Sequence, residues 1–175
     1  MHVIRTLLVA ALLLVSGPLL AASTLLTNVV IYDGTGRPPF RGDVRVEGER
    51  IAAVAPHLAA KQDETVLDQR GLALAPGFID MHSHGSRGLT GDLDAATVSR
   101  QGITTILVGQ DGESNFPLRD YLAQLAANPP AINLASMVGH ATLREQVMGT
   151  DLYRASTPQE LAQMKSLLEK ELSAG

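Results

Sequence analysis

Hydrophobic and polar positions along this chain change their period once, and the change divides the sequence. From Leu25 to Pro76 the apolar runs are short and bounded by turn-forming residues. Leu26 to Tyr32 is apolar and β-branched, and it runs into Asp33-Gly34-Thr35-Gly36, a turn-forming cluster. Asp43-Val44-Arg45-Val46-Glu47 alternates with period two, Gly48-Glu49 turns, and Arg50 to Val54 returns as a hairpin partner. Val66 to Asp68 and Leu72 to Ala75 predict two further short strands. Residues 23–76 therefore read as a small antiparallel sheet, marginal by itself at that size.

At Pro76-Gly77 the grammar becomes strand, loop, helix. Phe78 to Met81 predicts a buried strand, followed by a Gly- and Ser-rich loop and a helix from about Asp92 to Gln101, with Gly102 placed to end it. Ile103 to Val108 predicts a second strand and Leu118 to Ala127 a helix stopped by Pro129-Pro130. Ala131 to Val138 predicts a third strand. A long loop then leads to a helix from about Pro158 to Ser173, with Leu161, Met164, Leu168 and Leu172 on one stripe. Three alternations of strand and helix are the pattern of parallel βα units, an α/β class. A closed (β/α)8 barrel takes roughly 250 residues, so residues 77–175 are expected to form a partial TIM barrel of the first three or so units. The chain reads as a fragment.

Composition narrows the chemistry. The 175 residues carry a formal charge of −4 and no cysteine or tryptophan. That excludes disulfide scaffolds, thiolate zinc sites and cysteine nucleophiles. The absence of a basic run argues against nucleic acid as a partner. Residues 1–22 read as an export signal. Arg5 precedes the apolar run Leu7 to Val15, then Ser16-Gly17-Pro18 and the small-residue exit Ala21-Ala22-Ser23. The apolar run is too short for a permanent span, which needs roughly 20 residues. The expected location is periplasmic or secreted, with no stable membrane anchor after cleavage.

Candidate chemistry collects at the ends of the three predicted parallel strands. His82 and His84 are two apart in Asp80-Met81-His82-Ser83-His84-Gly85, so an extended backbone points both imidazoles to one face. The pair fits half of a site for zinc or a similar divalent ion, or two surface histidines in a polar loop. Asp111 follows the second strand. If the first two strands are neighbours, their ends lie about 4.8 Å apart, and its carboxylate reaches the same ion; it also fits a turn before Gly112. Glu113 reads as solvent-facing. His140 ends the third strand segment as a ligand, an acid–base group, a substrate contact or a structural histidine. Asp80 shares the face of His82 one layer deeper, where it would orient that histidine or pack. His57 reads as surface. No GxSxG elbow, GxxxxGK[ST] loop or GxGxxG after a strand is present.

With these motifs in order, the chain resembles the metal-dependent amidohydrolase superfamily, nearest its N-acyl-D-amino-acid deacylase (D-aminoacylase) branch. The residues that carry the resemblance are Asn28 to Gly36, the Asp43 to Val54 hairpin, Pro76 to His84, Gly102-Ile103-Thr104-Thr105 and Val138 to Arg144. It covers nearly all of the chain from Leu25 to Gly175. It implies a distorted TIM barrel beside a small β-sandwich, one or two Zn2+ or similar ions, and water attack on a linear amide that releases a D-amino acid. His82 and His84 match the family's HxH ligands. Asp111 stands where D-aminoacylases typically carry a cysteine ligand. The family's later histidines and its catalytic aspartate have no counterpart before Gly175, so the base is expected beyond that residue and this chain alone is expected to be inactive. The expected partner is a small-molecule amide. Two alternatives stay open: a cyclic-amide hydrolase (hydantoinase- or dihydroorotase-like) of the same superfamily, and a non-catalytic periplasmic metal-binding or interaction module.

Overall fold

A computed structural model describes residues 23–173. The proposed export signal, residues 1–22, lies outside the described residues. The chain divides between Pro76 and Gly77 into two compact units, each with its own sheet.

The first unit holds β1 (Ser23–Ile31), β2 (Phe40–Glu47), β3 (Arg50–Ala55), β4 (Thr65–Asp68) and β5 (Ala73–Leu74). β1 to β3 form an antiparallel meander in the order β3-β2-β1. The sheet is mixed rather than antiparallel throughout, because β4 and β5 pair with β1 in parallel. Residues 56–64 carry the chain back to the start of β1, so β4 enters in the same direction as β1 instead of folding back as a hairpin. A bulge in β1 between Leu26 and Val29 places Asn28 at φ 61, a conformation asparagine tolerates.

The period-two pattern of β2 is real, but its polar face is not solvated. Val44 packs with Val29 and Ile31, flanked by Leu26, Val46 and Leu74. Asp43 and Arg45, on the opposite face, are also buried, because the 56–64 segment covers them. The Glu64 carboxylate receives Arg45 Nε at 2.6 Å and Nη2 at 2.9 Å. Arg45 Nη2 also donates to the Ala59 carbonyl at 2.7 Å, and Lys61 N–H donates to Glu64 at 3.0 Å. The Asp43 carboxylate accepts from the Asn28 N–H at 3.0 Å and the Leu58 N–H at 2.9 Å. His57 Nδ1 lies 3.2 Å from Asp43, so this residue is exposed but anchored.

The second unit holds β6 (Phe78–Asp80), α1 (Ala96–Ser99), β7 (Ile103–Val108), α2 (Leu118–Ala127), β8 (Asn133–Ser136), α3 (His140–Met148) and α4 (Pro158–Leu172). Its three strands are parallel, in the order β6-β7-β8. Ile106, Val108, Leu118, Tyr121, Leu125 and Ile132 form the core under the sheet, with Leu89 and Ala95. A second cluster joins Leu143 and Met148 of α3 to Met164 of α4. Among the described residues no helix is long and apolar enough to cross a membrane.

Four expectations for this unit change. β6 is an edge strand paired on one side only, so Phe78 and Ile79 are exposed rather than buried. The helix expected over 92–101 shrinks to one turn. The Leu93 carbonyl accepts from the Ala131 N–H at 2.7 Å and Ala95 sits at φ 44, so helical pairing starts only at Ala96. The loop expected before the last helix contains α3, flanked by Gly139 and by Gly149 at φ 63. On α4 the buried residues are Met164 and Glu171, while Leu161 and Leu172 are exposed. Glu171 is buried because its carboxylate accepts the Leu118 N–H at 2.6 Å, satisfying a free donor at the start of α2.

Candidate metal centre

Parallel pairing sets where the chemistry lies. Asp80 of β6 registers with Ile106 of β7, and Val108 registers with Ser136 of β8. Whatever follows Asp80, Val108 and Ser136 therefore emerges along one rim, the C-terminal ends of the strands. The Ser83 N–H donates to the Leu107 carbonyl at 2.9 Å and carries the pairing past β6. Gln110 Nε2 clamps the two loops by donating to the Met81 and Leu107 carbonyls, each at 2.7 Å. The third loop is pulled against the second by glycine. A Cβ on Gly109, at φ +91, would meet the Met137 carbonyl oxygen at 2.7 Å, and one on Gly139 would meet that of Gly112 at 2.3 Å.

On this frame His82, His84 and Asp111 converge. His82 Nε2 lies 3.1 Å from one Asp111 carboxylate oxygen and His84 Nε2 lies 3.0 Å from the other. The two rings are 5.8 Å apart and tilted by 48°. One donor atom from each residue falls within 4.8 Å of the others. The side chains are 58–59 % exposed, so solvent and solutes reach them. The hydrogen bond from His82 is the main reason the Asp111 carboxyl titrates below its ordinary range; partial burial opposes this and the charges of both histidines add to it. Two imidazole nitrogens and a carboxylate oxygen within reach of one point are a donor set that fits zinc or a similar divalent ion.

The other candidates take different places. The Asp80 carboxylate accepts from the backbone N–H of His82 at 3.2 Å, an Asx-type turn that shapes the backbone rather than the ring. His140 opens α3, is exposed and stands outside the His82–His84–Asp111 group. Glu113 is exposed and pairs with Arg87 at 3.1 Å. Sequence reasoning passed over Arg87 and Gln110. The signal for Gln110 was its place between Gly109 and Asp111 at a strand end, while no spacing rule pointed to Arg87.

No family model matches the chain. It is 38 % identical to a D-aminoacylase of Alcaligenes xylosoxydans xylosoxydans, over 86 % of this chain and 36 % of that protein. A solved D-aminoacylase described as having a binuclear metal centre superposes with a TM-score of 0.78 at 36 % identity. An N-acyl-D-glutamate deacylase from Bordetella bronchiseptica, solved with zinc and a phosphonate inhibitor, superposes at 0.73 and 32 % identity. Each structural match covers 87 % of this chain and 36 % of the other. The fold is that of the N-terminal part of these proteins, which are members of the amidohydrolase superfamily. Within it, the chain is a homologue of the D-aminoacylases and N-acyl-D-amino-acid deacylases, and it spans little more than a third of the length of these relatives.

Proposed function

We propose that this chain contributes the first metal ligands of a metal-dependent amidohydrolase that cleaves linear amides, with N-acyl-D-amino acids as the substrate class. The observation that carries the reading is the convergence of His82, His84 and Asp111 at the ends of adjacent parallel strands. Identity to D-aminoacylase over most of the chain supports the substrate class. In this reading β6, β7 and β8 with their helices are the opening units of a (β/α)8 barrel, and residues 23–76 belong to a separate, smaller β domain. Residues 1–22 direct export to the periplasm or beyond, a reading supported by the Arg5 and Leu7 to Val15 pattern.

His82, His84 and Asp111 would hold the ion, zinc or a similar divalent metal. When bound, such an ion supplies Lewis-acid polarisation of an amide carbonyl and acidifies water to a pKa of about 7. The chain's own residues set the geometry. Gln110 fixes the spacing of the two ligand-bearing loops, and the Asp80 turn fixes the backbone at His82. The Asp111 carboxylate oxygens lie 3.1 Å from His82 Nε2 and 3.0 Å from His84 Nε2, so the three side chains already face one another, and each Nε2 would have to be free of its proton to hold the ion.

The test is a substrate panel on the natural product purified from its source cells, with bound metal determined by elemental analysis. Cleavage of N-acetyl-D-amino acids in preference to their L forms and to hydantoins is the expected result. A preference for hydantoins selects the cyclic-amide reading. Stoichiometric metal with no cleavage of either class selects a metal-binding module.

A further inference from the structure

Two glycines flank the segment that carries Asp111. Gly109 stands at φ 91 and Gly112 at φ 92, so the backbone on either side of Gln110-Asp111 has the conformational freedom that glycine confers. A ligand on such a segment needs outside ties to keep its place. The Gln110 side chain supplies them before Asp111, through the Met81 and Leu107 carbonyls. After Asp111 they come from the start of α3.

Four hydrogen bonds join residues 112–114 to residues 139–142. The Thr142 hydroxyl accepts from the Ser114 N–H at 2.9 Å and donates to the Ser114 carbonyl at 3.3 Å, so one side chain matches both backbone groups of one loop residue. The Thr142 N–H donates to the Gly112 carbonyl at 3.0 Å, and the Gly139 N–H donates to Ser114 Oγ at 3.0 Å. Both donors lie in the first turn of α3, where N–H groups have no partner within the helix.

Thr142 is buried. Within a helix a threonine hydroxyl commonly bonds back to the carbonyl one turn earlier; here it reaches a loop residue 28 positions earlier. α3 is anchored separately, by Leu143 and Met148 against Met164 of α4. Gly112-Glu113-Ser114 has no apolar side chain with which to anchor itself, so the loop depends on the four bonds.

We propose that Thr142 and Ser114 form a latch that holds Asp111 facing His82 and His84. The third strand then serves the metal centre through the backbone of the loop after β7, while His140 stands outside the ligand group. The inference rests on the metal-binding reading above.

The experiment compares the full chain with Thr142→Val, Thr142→Ser, Ser114→Ala and Met148→Ala. Zinc affinity is measured by competition with a chromophoric chelator, and 15N relaxation of the metal-free protein reads the order parameter of the Asp111 N–H. Thr142→Val keeps the shape but leaves the Ser114 N–H unpaired. It should lower the order parameter from about 0.85 to below about 0.6 and weaken zinc binding by about 10-fold or more. Thr142→Ser should restore both. Ser114→Ala removes one bond of the four and should shift both in the same direction by less, and it carries the test if Thr142→Val fails to fold. Met148→Ala loosens α3 at its other end, so it should lower the unfolding midpoint and leave both readouts unchanged.

An unchanged Asp111 order parameter in Thr142→Val overturns the latch, as does an equal loss of zinc affinity in Met148→Ala. Zinc uptake by the wild type together with the first of these results leaves the metal reading standing without the latch. No zinc uptake by the wild type overturns the metal reading, and the Asp111 order parameter then decides the latch by itself.

Discussion

The two sheets use their charged residues in opposite ways. In the first unit Asp43, Arg45 and Glu64 lie inside the fold, and among the described residues no fully buried side-chain nitrogen or oxygen is left without a partner. In the second, His82, His84, Asp111, Arg87 and Glu113 stand at the ends of the strands, exposed, and among the described residues their side chains form ion pairs only with one another. Charges matched in the interior hold a shape, whereas charges matched only to each other at an open rim are free to change partner. The same chain therefore carries an interior polar network and an exposed one that is the candidate for binding, and burial distinguishes them.

The sharpest way to break this comparison is Leu25→Ala. Leu25 is 1 % exposed and lies directly opposite Arg45 in the β1–β2 ladder, on the face that 56–64 covers. If that face is interior, the substitution costs about 2–5 kcal/mol by denaturant unfolding. A cost below about 0.5 kcal/mol, the ordinary surface range, would mean that the face is solvated and that its ion pair is a surface one.

Next in size is the rim. His82→Ala and Asp111→Ala should each weaken binding of one divalent ion by at least about 100-fold, since even residues that only orient metal ligands cost 10- to 100-fold. The thermal midpoint of the metal-free protein should stay where it is. A fall in that midpoint comparable to that of Leu25→Ala would assign these residues to the fold instead.

These contrasts explain what the sequence disclosed. Strand positions in both units, and His82, His84 and Asp111 as a group, were legible because period-two patterning and parallel pairing are local or follow from strand order. The burial of Asp43 and Arg45 was not, because nothing in their own alternation says that residues 56–64 fold over them. The parallel entry of β4 depends on the same excursion. α3 was missed because glycines on either side and a weak apolar stripe resemble a loop, although Ala141 to Met148 is made of ordinary helix formers apart from Thr142 and Val147. The truncation of α1 depends on one long-range bond, Ala131 N–H to the Leu93 carbonyl. The Arg87–Glu113 pair was invisible because it joins residues 26 apart that only the pairing of β6 with β7 brings together.

Acid titration gives a smaller effect with a definite sign. The side-chain hydrogen bonds from Arg45 hold the Glu64 carboxyl at about 2, against an ordinary value of 4.5, and those from Ser23 and Lys61 assist. Burial opposes the charged form of Asp43, but the N–H groups of Leu58 and Asn28 outweigh it and its carboxyl also titrates low. A carboxylate depressed in the folded state binds fewer protons than in the unfolded chain. Its stabilisation is thus complete above about pH 4.5 and is lost as pH falls toward 2. Unfolding measured between pH 7 and pH 2.5 should show this loss in wild type and a shallower one in Glu64→Gln. Equal slopes in the two proteins would remove Glu64 from the buried network.

The smallest effect sharpens the comparison from inside the second unit, which also contains structural polar groups. Two of them sit at helix starts, at Thr157 and Leu118, away from the three rim side chains. Thr157 accepts the Glu160 N–H at 3.2 Å and Glu160 returns the bond by accepting the Thr157 N–H at 2.8 Å, a capping box with Pro158 behind it. Glu160 is also held by Arg154 at 2.6 Å and 2.8 Å, so its carboxylate keeps its place when the threonine hydroxyl is removed. Thr157→Ala therefore deletes the acceptor for the Glu160 N–H and a hydroxyl donor to the Glu160 carboxylate, and the expected cost is about 1 kcal/mol by denaturant unfolding. Thr157→Ser should restore most of it. Metal affinity at His82, His84 and Asp111 should not change in either variant. α4 ties to the rest of its unit through Met164 and through Glu171 at the start of α2, and neither contact involves a rim residue. If Thr157→Ala lowered metal affinity, the rim would depend on the helix packing beneath it, and the division between holding and binding charges would fail within this unit.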